Sequence, residues 1–255
     1  MRITVLGSGT STGVPVIGCS CEVCRSENPK NKRTRSSIYI VEDETHILVD
    51  TTPDLRFQAL RERITRIDAV IYTHTHADHL HGIDELRIFN FLKMGPIPIY
   101  SYREHLEEIK RRFSYIFDGK SAPGGGKPWL IPEEVKENEP FKIGRLVFIP
   151  LTLYHGNMRV LGFRLKDFAY LTDCNRIPDE SMEKLRGVRV LIIDALRYSP
   201  HPTHFSLSEA IEIINVISPE KAYLTHMSHD FDHEKLKNEL PDNVEPSYDG
   251  MVIEL

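Results

Sequence analysis

The sequence predicts an α/β fold of two β-sheets flanked by helices. Short apolar strands alternate with helical stretches along most of the chain. Its 255 residues, 40% hydrophobic and 27% charged, have the balance of a globular α/β protein. Several strands end in a histidine or an aspartate. The clearest is Asp68–Thr73, which runs directly into His74-Thr-His76-Ala-Asp78-His79.

The strand Ile3–Leu6 gives way to a Gly/Ser/Thr loop from Gly7 to Pro15. Two further strands, Ser37–Val41 and His46–Asp50, are joined by a charged turn at Glu42–Glu44. Pro53 is expected to open a helix to about Arg63, because proline suits the first helical turn. The strand ending at Thr73 delivers the histidine-rich loop. A helix then runs from about His79 to Lys93, with Leu80, Ile83, Leu86 and Phe89 inward.

The charged helix Arg103–Arg112 leads into Phe113–Phe117 and the glycine-rich stretch Gly119–Lys127. Residues 103–135 therefore read as an arm or lid inserted into a single domain spanning 1–255. Phe113, Tyr115, Phe117 and Trp129 either line a substrate or dimer surface or pack beneath that arm. Beyond it come strands Phe141–Leu151, Val160–Leu165 and Phe168–Thr172, helix Asp179–Arg186, strand Val188–Asp194, helix Ser206–Ile217 and strand Lys221–Thr225.

A net charge of −5 sets up no global field that draws in nucleic acid. Locally, Lys30-Asn-Lys32-Arg33-Thr-Arg35 reads as a solvated loop or as an edge that contacts phosphate or RNA. No segment approaches the roughly 18 apolar residues of a membrane span. Met1–Gly7 lacks the apolar core and cleavage site of a secretory signal, so a cytoplasmic protein is expected. In that reducing compartment the four cysteines should be thiols, and clustered thiols read as metal ligands.

His74, His76, Asp78 and His79 put four metal-binding side chains into six residues. Three imidazoles and a carboxylate cannot pack together in a core unless a cation sits among them. One loop cannot surround an ion, and the further candidates also follow apolar strands. His155 follows Leu146–Leu153, Asp173 ends Phe168–Thr172, and His226 ends Lys221–Thr225. All can meet at one sheet edge. A second cluster, Cys19-Ser-Cys21-Glu-Val-Cys24, supplies three thiolates of a tetrahedral site. Cys174 or a histidine would complete it, His229 being the stronger candidate.

The HxHxDH loop with His155, Asp173 and His226 at successive strand ends resembles the metallo-β-lactamase superfamily. The likeness implies an αββα sandwich with metals at one edge. His74, His76 and His155 would bind one ion, Asp78, His79 and His226 a second, and Asp173 would bridge. Where that superfamily usually has Asp-x-Gly, this chain has Asp50-Thr-Thr52. Asp50 is then either a hydrogen-bond acceptor that fixes a ligand histidine or a helix cap near Pro53.

The Gly-Ser-Gly-Thr-Ser-Thr-Gly-Val-Pro loop, the CxCxxC, the Thr-His-x-Ser-His pair and Asp249-Gly-Met resemble the phosphoribosyl 1,2-cyclic phosphate phosphodiesterase family. That resemblance implies a structural zinc on Cys19, Cys21, Cys24 and His229, beside two divalent catalytic ions (manganese, zinc or iron). It also implies a homodimer. His204 matches the family's non-ligand histidine and is expected to be the general acid, with Asp78 the other catalytic residue. His201 competes locally with His204, and Arg35 and Arg197 are candidates to hold phosphate. Cys174 matches nothing in the pattern and reads as a packed residue.

The expected substrate is a small cyclic phosphodiester, of ribose 1,2-cyclic phosphate or 2′,3′-cyclic nucleotide type. A tRNA 3′-processing endonuclease shares the ligand pattern, with the 103–135 segment as its RNA arm. The pyrroloquinoline-quinone biosynthesis protein shares the cysteine knuckle, although the C-terminal match tells against it. A non-catalytic metal-binding protein would have no use for His204. A β-lactamase would be expected to carry a secretory signal and a different bridging residue.

Overall fold

The computed structural model describes residues 1–120 and 126–255. Its first sheet takes β1 (Arg2–Gly7), β2 (Ser37–Glu42), β3 (Thr45–Val49), β4 (Ala69–Ile71), β5 (Ile97–Ser101) and β6 (Leu130–Glu134). The second takes β7 (Phe141–Ile143), β8 (Leu146–His155), β9 (Met158–Leu165), β10 (Phe168–Leu171), β11 (Val190–Asp194), β12 (Lys221–Thr225) and β13 (Val244–Pro246). The last strand, β14 (Val252–Glu254), returns to pair antiparallel with β1. Among the described residues the strand orders are β14-β1-β2-β3-β4-β5-β6 and β13-β12-β11-β10-β9-β8-β7. Each sheet is part parallel and part antiparallel: β3 to β6 and β10 to β13 run parallel.

The sheets face each other across a core of Ile3, Val5, Ile47 and Val49 from the first and Phe148, Leu161, Phe163 and Tyr170 from the second. Alternate residues point the other way. Leu6, Leu48 and Val70 meet the helices Leu55–Arg61, Leu86–Lys93 and Arg103–Arg112. Leu151, Leu191, Ile193 and Leu224 meet Leu207–Ile217 and His233–Glu239. The central strands are therefore covered on both faces, which is why they read as continuous apolar runs rather than as alternation. Burial of each large side chain contributes about 1.5–3 kcal/mol. The result is the expected αββα sandwich.

Several boundaries differ from the sequence reading. The helix after Pro53 begins at Leu55, because the Asp54 amide turns back onto Thr52 Oγ1 at 3.1 Å. The helix expected over 79–93 is broken into Ala77–Leu80, a 3₁₀ turn at Ile83–Glu85 and Leu86–Lys93, although Leu80, Ile83, Leu86 and Phe89 are all buried as expected. Gly82 causes the break. Its amide bonds Thr51 O at 2.9 Å, and a Cβ there would lie 2.0 Å from Thr52 O. The strand expected over 141–151 is a hairpin that turns at Gly144, whose φ is +59°.

The 103–135 segment is less of an arm than its texture suggests. Arg103–Arg112 packs on the first sheet through Leu106 and Ile109, and β6 is that sheet's edge strand, paired parallel with β5. Phe113 and Phe117 pack against the same core, while Tyr115 and Trp129 remain exposed. Part of the glycine-rich stretch, residues 121–125, lies outside the described residues.

One buried histidine makes stability depend on pH. Burial, aided by the cations Lys30 and Arg33, pushes His233 down to about 4 from an ordinary value near 6.5. The unfolded chain therefore binds the extra proton first. His233 contributes its full stability above about pH 6.5, and that contribution drains as pH falls towards 4. Thermal melts from pH 7.5 to 4.5 should show a shallower loss of Tm for His233→Phe than for the wild type; parallel curves would contradict the assignment.

Candidate metal centre

The chemistry collects where strands end. His74–His79 follows β4, His155 closes β8, Asp173 lies two residues past β10, Asp194 closes β11 and His226 follows β12. Asp50, Asp173 and His226 take left-handed backbone, with φ of +64°, +51° and +58°. That conformation costs roughly 1 kcal/mol or more for a residue with a side chain. Glycine would avoid the cost but would forfeit the carboxylate or imidazole.

Asp173 is the hub. Its Oδ1 is 3.2 Å from His79 Nε2, and its Oδ2 is 3.2 Å from His226 Nε2 and 3.8 Å from His74 Nε2. Asp78 Oδ2 lies 3.2 Å from His79 Nε2 and 3.6 Å from His226 Nε2. Asp78, His79, Asp173 and His226 thus offer four ligand atoms to one point. On the other side of Asp173 are the rings of His74, His76 and His155. Centroid separations are 4.7 Å for His74–His76, 5.0 Å for His76–His155 and 5.9 Å for His74–His155. All seven predicted ligands meet.

The donor set fits cations. The Nε2 atoms of His74, His79 and His226 are buried without hydrogen-bond partners, which an isolated protein core does not tolerate. Burial, then the neighbouring His79, pushes His74 well below its ordinary pKa, so it offers a lone pair. Three carboxylates, Asp173, Asp78 and Asp50, outweigh burial and push His79 the other way. A cluster of imidazoles with carboxylates between them suits divalent manganese, zinc or iron.

Asp50 settles into the first of its two expected roles. Its Oδ2 accepts from His79 Nδ1 at 2.7 Å and from Thr73 Oγ1 at 2.8 Å, and its Oδ1 accepts from Thr73 N at 2.8 Å. It caps no helix; Asp54 occupies that position. Asp50 therefore aims His79 Nε2 at the cluster. Asp50→Asn should weaken metal binding about 10- to 100-fold, read by zinc titration against a competing chelator. An unchanged affinity would remove Asp50 from the site.

His204 borders the candidate ligands and has a carboxylate partner of its own. Its Nδ1 is 2.9 Å from Asp194 Oδ2, and its ring stacks on His226 at 4.7 Å. Asp194 overcomes burial to push His204 up to about 9. His204 also lies within ligand distance of His155 and Asp173. The expectation missed Asp194, although the sequence carries a signal for it: a carboxylate that ends the wholly apolar run Val190–Ile193. Thr172, whose Oγ1 donates to Asp173 Oδ1 at 2.7 Å, was missed as well.

The thiolate cluster is also assembled. His229 Nδ1 is 3.3 Å from Cys19 Sγ and 3.5 Å from both Cys21 and Cys24 Sγ. Tetrahedral zinc, with bonds of about 2.3 Å to sulfur and about 2.0 Å to nitrogen, sets S and N about 3.5 Å apart. Cys174 takes no part. It is fully buried in the second sheet's outer core.

The remaining candidates lie elsewhere. His201 receives a bond from Thr203 N (3.4 Å) and is not one of the clustered ligands. Arg35 is forked onto Asp54 at 2.9 and 3.1 Å. Arg197 closes its own turn on Ser199 and Pro200 carbonyls. Arg33 is buried, so the 30–35 run is neither a solvated loop nor a continuous phosphate-binding edge. Asp249, part of the C-terminal motif, is a strut that accepts from Ser8, Thr34 and Arg61.

Comparison with known proteins gives the same grouping. Residues 45–227 match the β-lactamase superfamily domain. An octanoyltransferase of Porphyromonas gingivalis is 40% identical over 257 residues, which is 98% of this chain and 51% of that protein. The chain thus spans about half the length of that relative. Coenzyme PQQ synthesis protein B of Rhodopseudomonas palustris is 31% identical over 76% of this chain and 73% of its own. A crystal structure of a diphosphatase from the PhnP family superposes with a TM-score of 0.92 at 41% identity, covering 100% of this chain and 97% of that one. Human tRNase Z, short form, shares the fold at 19% identity, with a TM-score of 0.69 over 100% of this chain and 99% of that one. The chain belongs to the β-lactamase superfamily, whose members are mostly metal-dependent hydrolases.

Proposed function

We propose that the chain is a metal-dependent phosphodiesterase whose substrates are small cyclic phosphodiesters of ribose or nucleotides. The observation that carries this reading is His204. It is held through Nδ1 by Asp194, beside a cluster in which seven further side chains are assigned as metal ligands. Its Nε2 is left for a substrate oxygen.

His74, His76 and His155 are assigned to one divalent ion and Asp78, His79 and His226 to another, with Asp173 shared. Such a pair, when bound, would supply an activated water near neutral pH and positive charge for the phosphate oxygens. The chain's own groups do the rest. Asp50 fixes the Nε2 of His79 towards the cluster, and the Thr203 carbonyl, 2.8 Å from His155 Nδ1, does the same for His155. His204 is assigned to give the leaving oxygen a proton, while Asp194 stabilises the charge that His204 carries beforehand. The thiolate cluster is assigned to a structural zinc.

The similarity to a diphosphatase at 41% identity supports phosphate chemistry. The folding of the 103–112 helix and β6 onto the first sheet favours a small substrate over an RNA held by a long arm. The test is turnover of a 2′,3′-cyclic nucleotide, a ribose 1,2-cyclic phosphate and a precursor tRNA in parallel, with manganese or zinc added. Cleavage of the tRNA alone would replace this reading with an RNA-processing one.

A further inference from the structure

The two clusters share one turn. His226 of the carboxylate–histidine cluster and His229 of the thiolate cluster are three residues apart in Thr225-His-Met-Ser-His229. Against that turn lies Arg33, 1% exposed. Its Nη2 donates to Phe231 O at 2.8 Å and to Asn31 Oδ1 at 3.4 Å, and its Nη1 donates to Ser228 O at 3.3 Å. Its Nε has no hydrogen-bond partner, and the carboxylates of Asp249 and Asp232 act on it only through space. A buried guanidinium held mainly by carbonyls is a poor way to gain stability. Its value lies in where it holds those carbonyls.

The backbone of Arg33 closes the other side. Arg33 and Val14 exchange both main-chain bonds at 2.8 Å, which fixes the loop leading to Cys19. Gly9 packs so closely that a Cβ there would lie 2.8 Å from both Arg33 Cβ and Arg33 O. The same loop grips the turn from above: Met227 N bonds Ser8 O at 2.9 Å, and Thr10 N bonds Met227 O at 3.2 Å. Thus Arg33 touches the cysteine-bearing loop through its backbone and the two-histidine turn through its side chain.

We propose that Arg33 is a positioning residue that couples the thiolate cluster to the dinuclear cluster, by fixing the 226–231 turn so that filling the first sets His226 for the second. This rests on reading both clusters as metal sites, not on the reaction.

The test is a double-mutant cycle on metal affinity. Zinc is titrated against a chromophoric chelator into wild type, Cys21→Ser, Arg33→Met and the double variant. Each single change is expected to weaken the dinuclear site about tenfold, and the double variant to be no weaker than the worse single one. A wild-type affinity in either single variant would overturn the proposal, as would two losses that add in full. Should Arg33→Met not melt cooperatively, Arg33→Lys takes its place in the cycle, since lysine keeps the charge but cannot bond both carbonyls in one geometry. No activity is read, so failure of the phosphodiesterase assignment would leave this result standing.

Discussion

Asp173→Ala is expected to cost at least about a thousandfold in kcat/KM, several kcal/mol of transition-state stabilisation, and to strip the histidine–aspartate cluster of metal. One carboxylate reaches both halves of the cluster: 3.2 Å to His79 Nε2, 3.2 Å to His226 Nε2 and 3.8 Å to His74 Nε2. No neighbour can replace it. Asp78 touches only the His79 and His226 side, so Asp78→Ala should empty one position and leave the other partly filled. Elemental analysis beside steady-state kinetics separates the two variants. An Asp173→Ala enzyme that keeps two ions per chain and a tenth of wild-type turnover would contradict its assignment as the shared ligand.

His204→Ala should lower kcat about 10²- to 10⁴-fold, the range of general acid catalysis, with metal content unchanged. His204 lies within ligand distance of His155 and Asp173, so loss of a metal would mark it as a ligand instead of an acid. The leaving group gives an independent check. A p-nitrophenyl diester departs without protonation, so His204→Ala should impair it far less than a ribose ester. Equal impairment of both would remove the proton-donor role.

Much of this centre is legible in the sequence for a physical reason. Strand ends are where an α/β sheet presents side chains to a shared crevice, and His74, His155, Asp173 and His226 each come at or just after an apolar run that reads as a buried strand. Cys19, Cys21 and Cys24 are legible in the same way, since three cysteines so close in sequence read as metal ligands. The partners that aim these groups are harder to see. Asp194 and Thr172 look like any polar residue at a strand end, and their roles exist only once β10 and β11 lie side by side. Arg33 is the extreme case. Its charged neighbours Lys30, Lys32 and Arg35 suggest a surface, and only the approach of the 226–231 turn buries it.

The boundaries that shifted did so at tertiary contacts. The 79–93 helix breaks because Gly82 pairs with Thr51, thirty-one residues earlier, which no helical periodicity encodes. β13 and β14 are three residues each, too short for a pattern, and exist because β12 and β1 offer open edges.

The proposed activity is metal-dependent hydrolysis of a small phosphate diester. The measurement that tests it most directly is phosphorus NMR of a ribose cyclic phosphate incubated with the wild-type protein, as isolated, after chelation, and after manganese or zinc is restored. The diester signal should convert to that of a monoester; the conversion should stop on chelation, return with metal and be absent in Asp173→Ala. A protein that holds its metals at both clusters yet leaves every diester intact would contradict it.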